Sequence, residues 1–140
     1  MNESDIALIE SSLRISLPAD YKEFLLQHTD EVRQIKAKLP FRAVLWTDAE
    51  QIISENELAQ SKAGMMRIGK KHWPKNYCVV GTNGAGDYWF IDVEVIQPGV
   101  WFWSHEAQSI TRHNLTLEDY LADLRRDAQT PEGWVEQFLQ

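Results

Sequence analysis

The chain has 140 residues, 44% of them hydrophobic and 25% charged, a balance that excludes intrinsic disorder. Its net charge of −7 argues against a lysine- and arginine-lined surface for nucleic acid, and its lone Cys78 excludes an internal disulfide. No apolar run approaches the roughly 18–20 residues of a membrane helix, and the acidic start Met1-Asn2-Glu3-Ser4-Asp5 does not fit a standard secretory signal, so a cytoplasmic protein without membrane contact is expected.

Taken in order, Ile6, Ile9 and Leu13 form a stripe at helical spacing, which predicts a short amphipathic helix over 5–13. Ser16-Leu17-Pro18 starts a second helix, with Pro18 in its first turn and Tyr21, Phe24, Leu25 and His28 on one face. Residues 29–40 are polar and basic and are expected to be a loop closed by Pro40. Phe41 to Trp46 reads as a strand, and Thr47-Asp48-Ala49-Glu50 matches a capping box. The helix behind it buries Ile52 and Ile53, then loses its apolar stripe after Ser54; its second half is expected to be exposed, with Gly64 ending it. Met65 to Gly69 forms a short strand, and Lys70-Lys71-His72 a solvated loop.

Trp73 to Glu106 is the richest stretch. Tyr77-Cys78-Val79-Val80, Tyr88-Trp89-Phe90-Ile91 and Val100-Trp101-Phe102-Trp103 are β-branched and aromatic runs separated by Asn, Gly and Pro, which predicts a three-stranded antiparallel meander. Asn83-Gly84 marks the first turn, with a bulge expected at Gly86, and Pro98-Gly99 suits a type II turn. Ala107 to His113 adds a strand with Ile110 inward. Thr116 caps a helix carrying Leu117, Tyr120, Leu121, Leu124 and Ala128, and Thr130-Pro131 opens a last helix. Strands grouped between terminal helices indicate an α+β fold, a central antiparallel meander flanked by N-terminal and C-terminal helices in one domain over 1–140.

Catalytic patterns are weak. Gly81, Gly84 and Gly86 precede a strand instead of a helix and lack phosphate-loop spacing. Asp87, Asp92, Glu94 and Glu106 are spread over strands, and no Gly-x-Ser-x-Gly is present. A metal-dependent enzyme would need His105, Glu106 and His113 together, and no recognised zinc spacing supports that. Strand alternation puts Trp101 and Trp103 on one face and Phe102 on the other, with Tyr88 and Phe90 opposite Trp89. A face left open would offer rings suited to protein contact. The charge is segregated: residues 1–64 and 114–140 each carry −4, and 65–113 carry +1. Such acidic flanks would draw a basic partner.

The order Trp73-Pro74, Gly81-Thr82-Asn83-Gly84-Ala85-Gly86-Asp87-Tyr88, Pro98-Gly99-Val100-Trp101, His105-Glu106 resembles the SUKH superfamily. So do Leu17-Pro18-Ala19-Asp20-Tyr21-Lys22-Glu23-Phe24-Leu25, Arg67-Ile68-Gly69 and Leu117-Glu118-Asp119-Tyr120-Leu121, so the likeness spans roughly 6–124. Where that family has an Asn-Gly turn, this chain has His28-Thr29-Asp30-Glu31, so the loop from Thr29 to Pro40 is expected to be built differently. The resemblance implies an immunity protein that masks a cognate toxin, often a nuclease, or else a regulatory scaffold akin to the family's cell-wall relatives. Neither role needs a cofactor, a metal or a catalytic residue. The contacts expected are Trp101, Trp103, His105 and Glu106 on the third strand, Asp87 at the hairpin, and Asp119 and Asp123 on the late helix.

Overall fold

Helix α1, Glu3–Leu13, starts at a reciprocal cap: Asn2 Oδ1 accepts from the Asp5 N–H at 2.9 Å, and Asp5 returns a carboxylate oxygen to the Asn2 N–H at 2.9 Å. Ile6 and Ile9 face the core. The computed structural model describes residues 1–61 and 66–130, so the last helix expected after Thr130, Gly64 and the Met65 end of a strand lie outside the described residues. Helix α2, Ala19–Gln27, buries Tyr21, Phe24 and Leu25. Pro18 stands before its first turn as the N-cap, with extended backbone.

Residues 29–40 depart from the expected loop. Helix α3 covers Thr29–Lys38 and buries Thr29, Val32 and Ile35, with Leu39 buried just beyond. Those four recur at helical spacing among polar neighbours, so burial on one face outweighs the polar average. Asp30 and Glu31 at its start and Lys36 and Lys38 at its end complement the helix dipole. The expected strand over Phe41 to Trp46 shrinks to one bridge, Leu45 against Gly81, with the Trp46 N–H donating to Val80 O at 2.8 Å. The β-branched and aromatic composition there serves burial of Leu45 and Trp46, not a ladder.

Helix α4, Ala49–Gln60, has Asp48 as N-cap, and no side chain caps it, so the expected capping box does not form. Thr47 instead accepts from Arg33 through both its hydroxyl, at 3.1 Å, and its carbonyl, at 2.7 Å. The second half of α4 is anchored, contrary to expectation, because Asn56 and Ala59 are buried. The Asn56 amide donates to Ile52 O and Val79 O at 2.8 Å each, and its Oδ1 accepts from the Val79 N–H at 2.8 Å. One side chain thus satisfies both backbone groups of a buried strand residue.

Two short strands, β1 (Arg67–Ile68) and β2 (Lys71–His72), pair antiparallel; Lys71 and His72 are therefore in a hairpin, not a loop. The main sheet is an antiparallel meander in the order β3 (Tyr77–Thr82), β4 (Tyr88–Asp92), β5 (Val100–Ser104) and β6 (Ser109–Asn114). The first bulge lies within β3, where Val79 pairs with Phe90 but Gly81 with Trp89, rather than at Gly86. Gly84 and Gly86 take positive φ of 79° and 97° in the β3–β4 loop. Gly99, at φ 105°, lies so close to β6 that a Cβ there would be 2.4 Å from Asn114 O.

Thr116 caps α5, Leu117–Gln129, accepting from the Asp119 N–H at 3.0 Å. Leu117, Tyr120, Leu121 and Leu124 are buried on its inner face. Tyr120 Oη accepts from the Leu45 N–H at 2.9 Å, which ties α5 to the segment that closes β3. The core cluster draws on α1 to α5, from Ile6 to Leu124, with Trp73 enclosed at 1% exposure.

Candidate interaction surface

In-register neighbours share a face, and Trp101 pairs with Phe90 while Trp103 pairs with Tyr88. The four rings lie on one side, with Phe90 and Trp101 stacked at 6.4 Å and Tyr88 tilted on Trp103 at 6.3 Å. Phe102 and Trp89 pair on the other, 5.3 Å apart. The alternation is as expected, but neither face is an open aromatic platform. Phe90 is fully buried and Trp103 is 3% exposed, its indole donating to Arg67 O at 2.7 Å. Tyr88, Trp89, Trp101 and Phe102 are half-buried. Trp103 thus supports the sheet from inside and presents nothing to a partner.

The sheet separates the remaining candidates into two groups. Trp101 sits near the start of β5, where its indole reaches Gln97 O and Pro98 O at 3.2 Å each and the Arg112 guanidinium lies 4.9 Å over its ring. Val100 pairs with Asn114, and α5 starts three residues later, so Asp119 and Asp123 belong to this same end. Asp119 is exposed, and Asp123 accepts from the Asn114 amide at 2.8 Å and from Arg126 at 3.0 Å. Asp87, His105 and Glu106 lie at the other end, ~14 Å along β5 at the rise of an extended strand.

That second group is a loop clasp. Asp87 Oδ1 takes both the His105 N–H, at 2.9 Å, and His105 Nδ1, at 2.6 Å. Asn83 donates to the other oxygen at 2.9 Å. Burial pushes the Asp87 carboxyl up, but the hydrogen bonds from His105 and Asn83 outweigh it and hold the group below the ordinary aspartate range. A Cβ on Gly86 would stand 3.1 Å from the His105 ring, so the glycine admits that ring. Glu106 is exposed beside the clasp. His113 is not part of it: its Nδ1 accepts from the Trp89 indole at 2.8 Å, and desolvation pulls its basicity down. Among the described residues, no three His, Cys, Asp or Glu side chains gather as metal ligands would. Cys78 is 2% exposed, and burial pushes its thiol up to about 12, so it stays protonated and unreactive.

Several large apolar side chains away from the sheet's rings are exposed, Leu8, Phe41 and Leu58 among them. Val95 and Ile96, 53% and 72% exposed, form the tip of the β4–β5 loop, and Leu115, 64% exposed, precedes the cap of α5. The buried Asp92 carboxylate fixes the loop, accepting from the Asn76 amide and from the Glu94 and Gln97 N–H groups at 2.9–3.1 Å. Val95 is held at φ 56°, a conformation a β-branched residue seldom adopts. An aliphatic pair between Asp92 and Pro98-Gly99, outside any strand pattern, was the sequence signal for this tip.

No helix among the described residues is long and apolar enough to cross a membrane. Comparison with curated proteins and comparison with solved structures each return no match. The family comparison does match, over residues 1–123, and that span takes in α1 to α4, the whole meander and the inner face of α5 through Leu121. The chain therefore belongs to the SMI1/KNR4 family (SUKH-1).

Proposed function

We propose that this protein is a non-catalytic immunity protein that binds a cognate toxin and masks its basic, substrate-binding face. The observation that carries the reading is the acidic opening of α5, where Glu118 and Asp119 stand exposed at the same end of the sheet as Trp101. A negative surface favours encounter with a positive one and competes directly with a nucleic-acid substrate. Family membership is compatible with this role. The proposed contacts are Trp101, Asp119 and Asp123 at one end, with Asp87, His105 and Glu106 as a second group at the other. Trp103 acts behind the surface. The protein works in the cytoplasm, as one domain, without a cofactor.

The test is to look for a toxin-like reading frame beside its gene and to co-express the protein with that frame's C-terminal domain. Immunity predicts restored growth, co-purification, and an association rate that falls as salt rises across the physiological range. Failure to protect, together with capture of a host cell-wall regulator instead, would replace this reading with the scaffold role. A salt-independent association rate would remove its electrostatic component.

A further inference from the structure

Two hollows at the Trp101 end run together. One, of about 260 Å³, lies between α2 and the start of α5 over Phe24, Leu117 and Leu121. The other, a dimple of only about 20 Å³, adjoins it toward Val95 and Pro98, and the two share Asp20 and Leu117. The floor is apolar and the rim is acidic, formed by Asp20, Glu23 and Glu118, all exposed. No lysine or arginine lines either hollow; His28, 3.7 Å from Glu31, is the basic side chain of the first. Some helical carboxylates have cations at hand, Glu10 with Lys22, Glu31 with Arg125, Asp123 with Arg126 and Asp127 with Arg42, while others, such as Glu50, Glu57 and Asp119, form no ion pair among the described residues. Among the described residues, Asp20, Glu23 and Glu118 likewise have no such pair, although Lys22 is next to Glu23 in sequence.

We infer that this groove receives an arginine side chain from a basic protein partner, with the Val95–Ile96 tip packing beside it. An arginine has an aliphatic stem that suits the Leu117 and Leu121 floor and a planar head that pairs with carboxylates in a fixed fork. Asp20 and Glu118 flank the groove from two different helices, so one guanidinium can be approached from both sides. The tip is already ordered by Asp92, and docking it costs little further loop ordering. This deepens the masking function proposed above, and rests on it, by naming the partner's chemistry and the surface that reads it.

The experiment is a titration of the full-length, nitrogen-15-labelled protein with a short peptide alternating arginine and leucine, and with the same peptide bearing glutamine for arginine. Amide shifts should cluster at Asp20, Glu23, Leu117, Glu118 and Val95–Ile96. The glutamine peptide should bind about tenfold more weakly, as should the D20N/E23Q/E118Q variant, because exposed ion pairs are individually weak and three are lost together. Val95→Asn, which keeps the left-handed backbone, should also weaken binding. The altered side chains are all exposed, and unchanged circular dichroism would verify folding. Shifts centred on the His105 clasp, no saturable binding, or wild-type affinity in the triple variant would overturn the inference. The two proposals fail separately. A triple variant that still protects cells fully sinks the groove and keeps immunity, whereas a protein that binds the arginine peptide here yet protects against no toxin keeps the groove and loses immunity.

Discussion

Replacing Asn56 by alanine should cost this fold a large part of its stability. The Asn56 side chain makes three hydrogen bonds of 2.8 Å, two of them to the N–H and C=O of Val79. Val79 is 0% exposed, so water cannot substitute for the lost partner. A buried backbone group left unsatisfied costs about 1–3 kcal/mol, and two are created. Alanine returns about 0.5 kcal/mol through its better helix propensity. The expected net loss is about 3 kcal/mol, against a whole-domain stability of about 5–15 kcal/mol. In urea, with a slope of about 1–3 kcal/mol per molar, the midpoint should fall by about 1–3 M. Amide exchange at Val79 should accelerate far more than at Phe90 in the next strand. Asn56→Leu separates causes, because it refills the volume without restoring the bonds. A leucine variant as stable as wild type, or an alanine variant within about 1 kcal/mol of it, would refute the assignment of the stability to hydrogen bonding.

The other perturbations are simpler. Gly99→Ala places a methyl 2.4 Å from Asn114 O at a φ of 105°, so the β4–β5 turn must move off β6; a loss of at least about 2 kcal/mol should appear as a Tm several degrees lower. His113 has its folded pKa below the ordinary histidine value, with desolvation the leading cause, so the unfolded chain binds the proton more readily. Its contribution is complete above pH ~6.5 and is lost as pH falls from there through the folded pKa, with a matching change in Trp89 fluorescence that His113→Gln abolishes. Cys78 should resist a disulfide-exchange reagent at pH 8 until denaturant is added; fast labelling of the native protein would contradict its burial and raised pKa.

The meander was legible because period-2 runs and Asn-Gly and Pro-Gly turns act locally, and the outer helices because Ile6–Ile9 and Leu117–Leu124 keep clean stripes. Helix α3 was hidden by polar neighbours that diluted Val32, Ile35 and Leu39 in any average. Asn56 was hidden for a deeper reason: a polar side chain counts as surface until the strand it satisfies is known. The segment from Phe41 to Trp46 has strand composition, but only the partner determines whether a ladder forms, and here a single bridge does. The same limit applies to the site. Alternation sorted Trp101 from Phe102 correctly, yet which rings are covered depends on Trp73 and Arg67, distant in sequence. The ~14 Å that separates Trp101 from His105 follows from strand rise alone and can be read from the sequence once β5 is assigned.

The outer margin of β3 is already occupied: Asn56 takes Val79, Trp46 takes Val80, and Leu45 takes Gly81. A sheet stopped along one side has no second hand to offer. Whatever meets β6, strand-to-strand joining through this sheet ends at two copies and cannot propagate into a fibre.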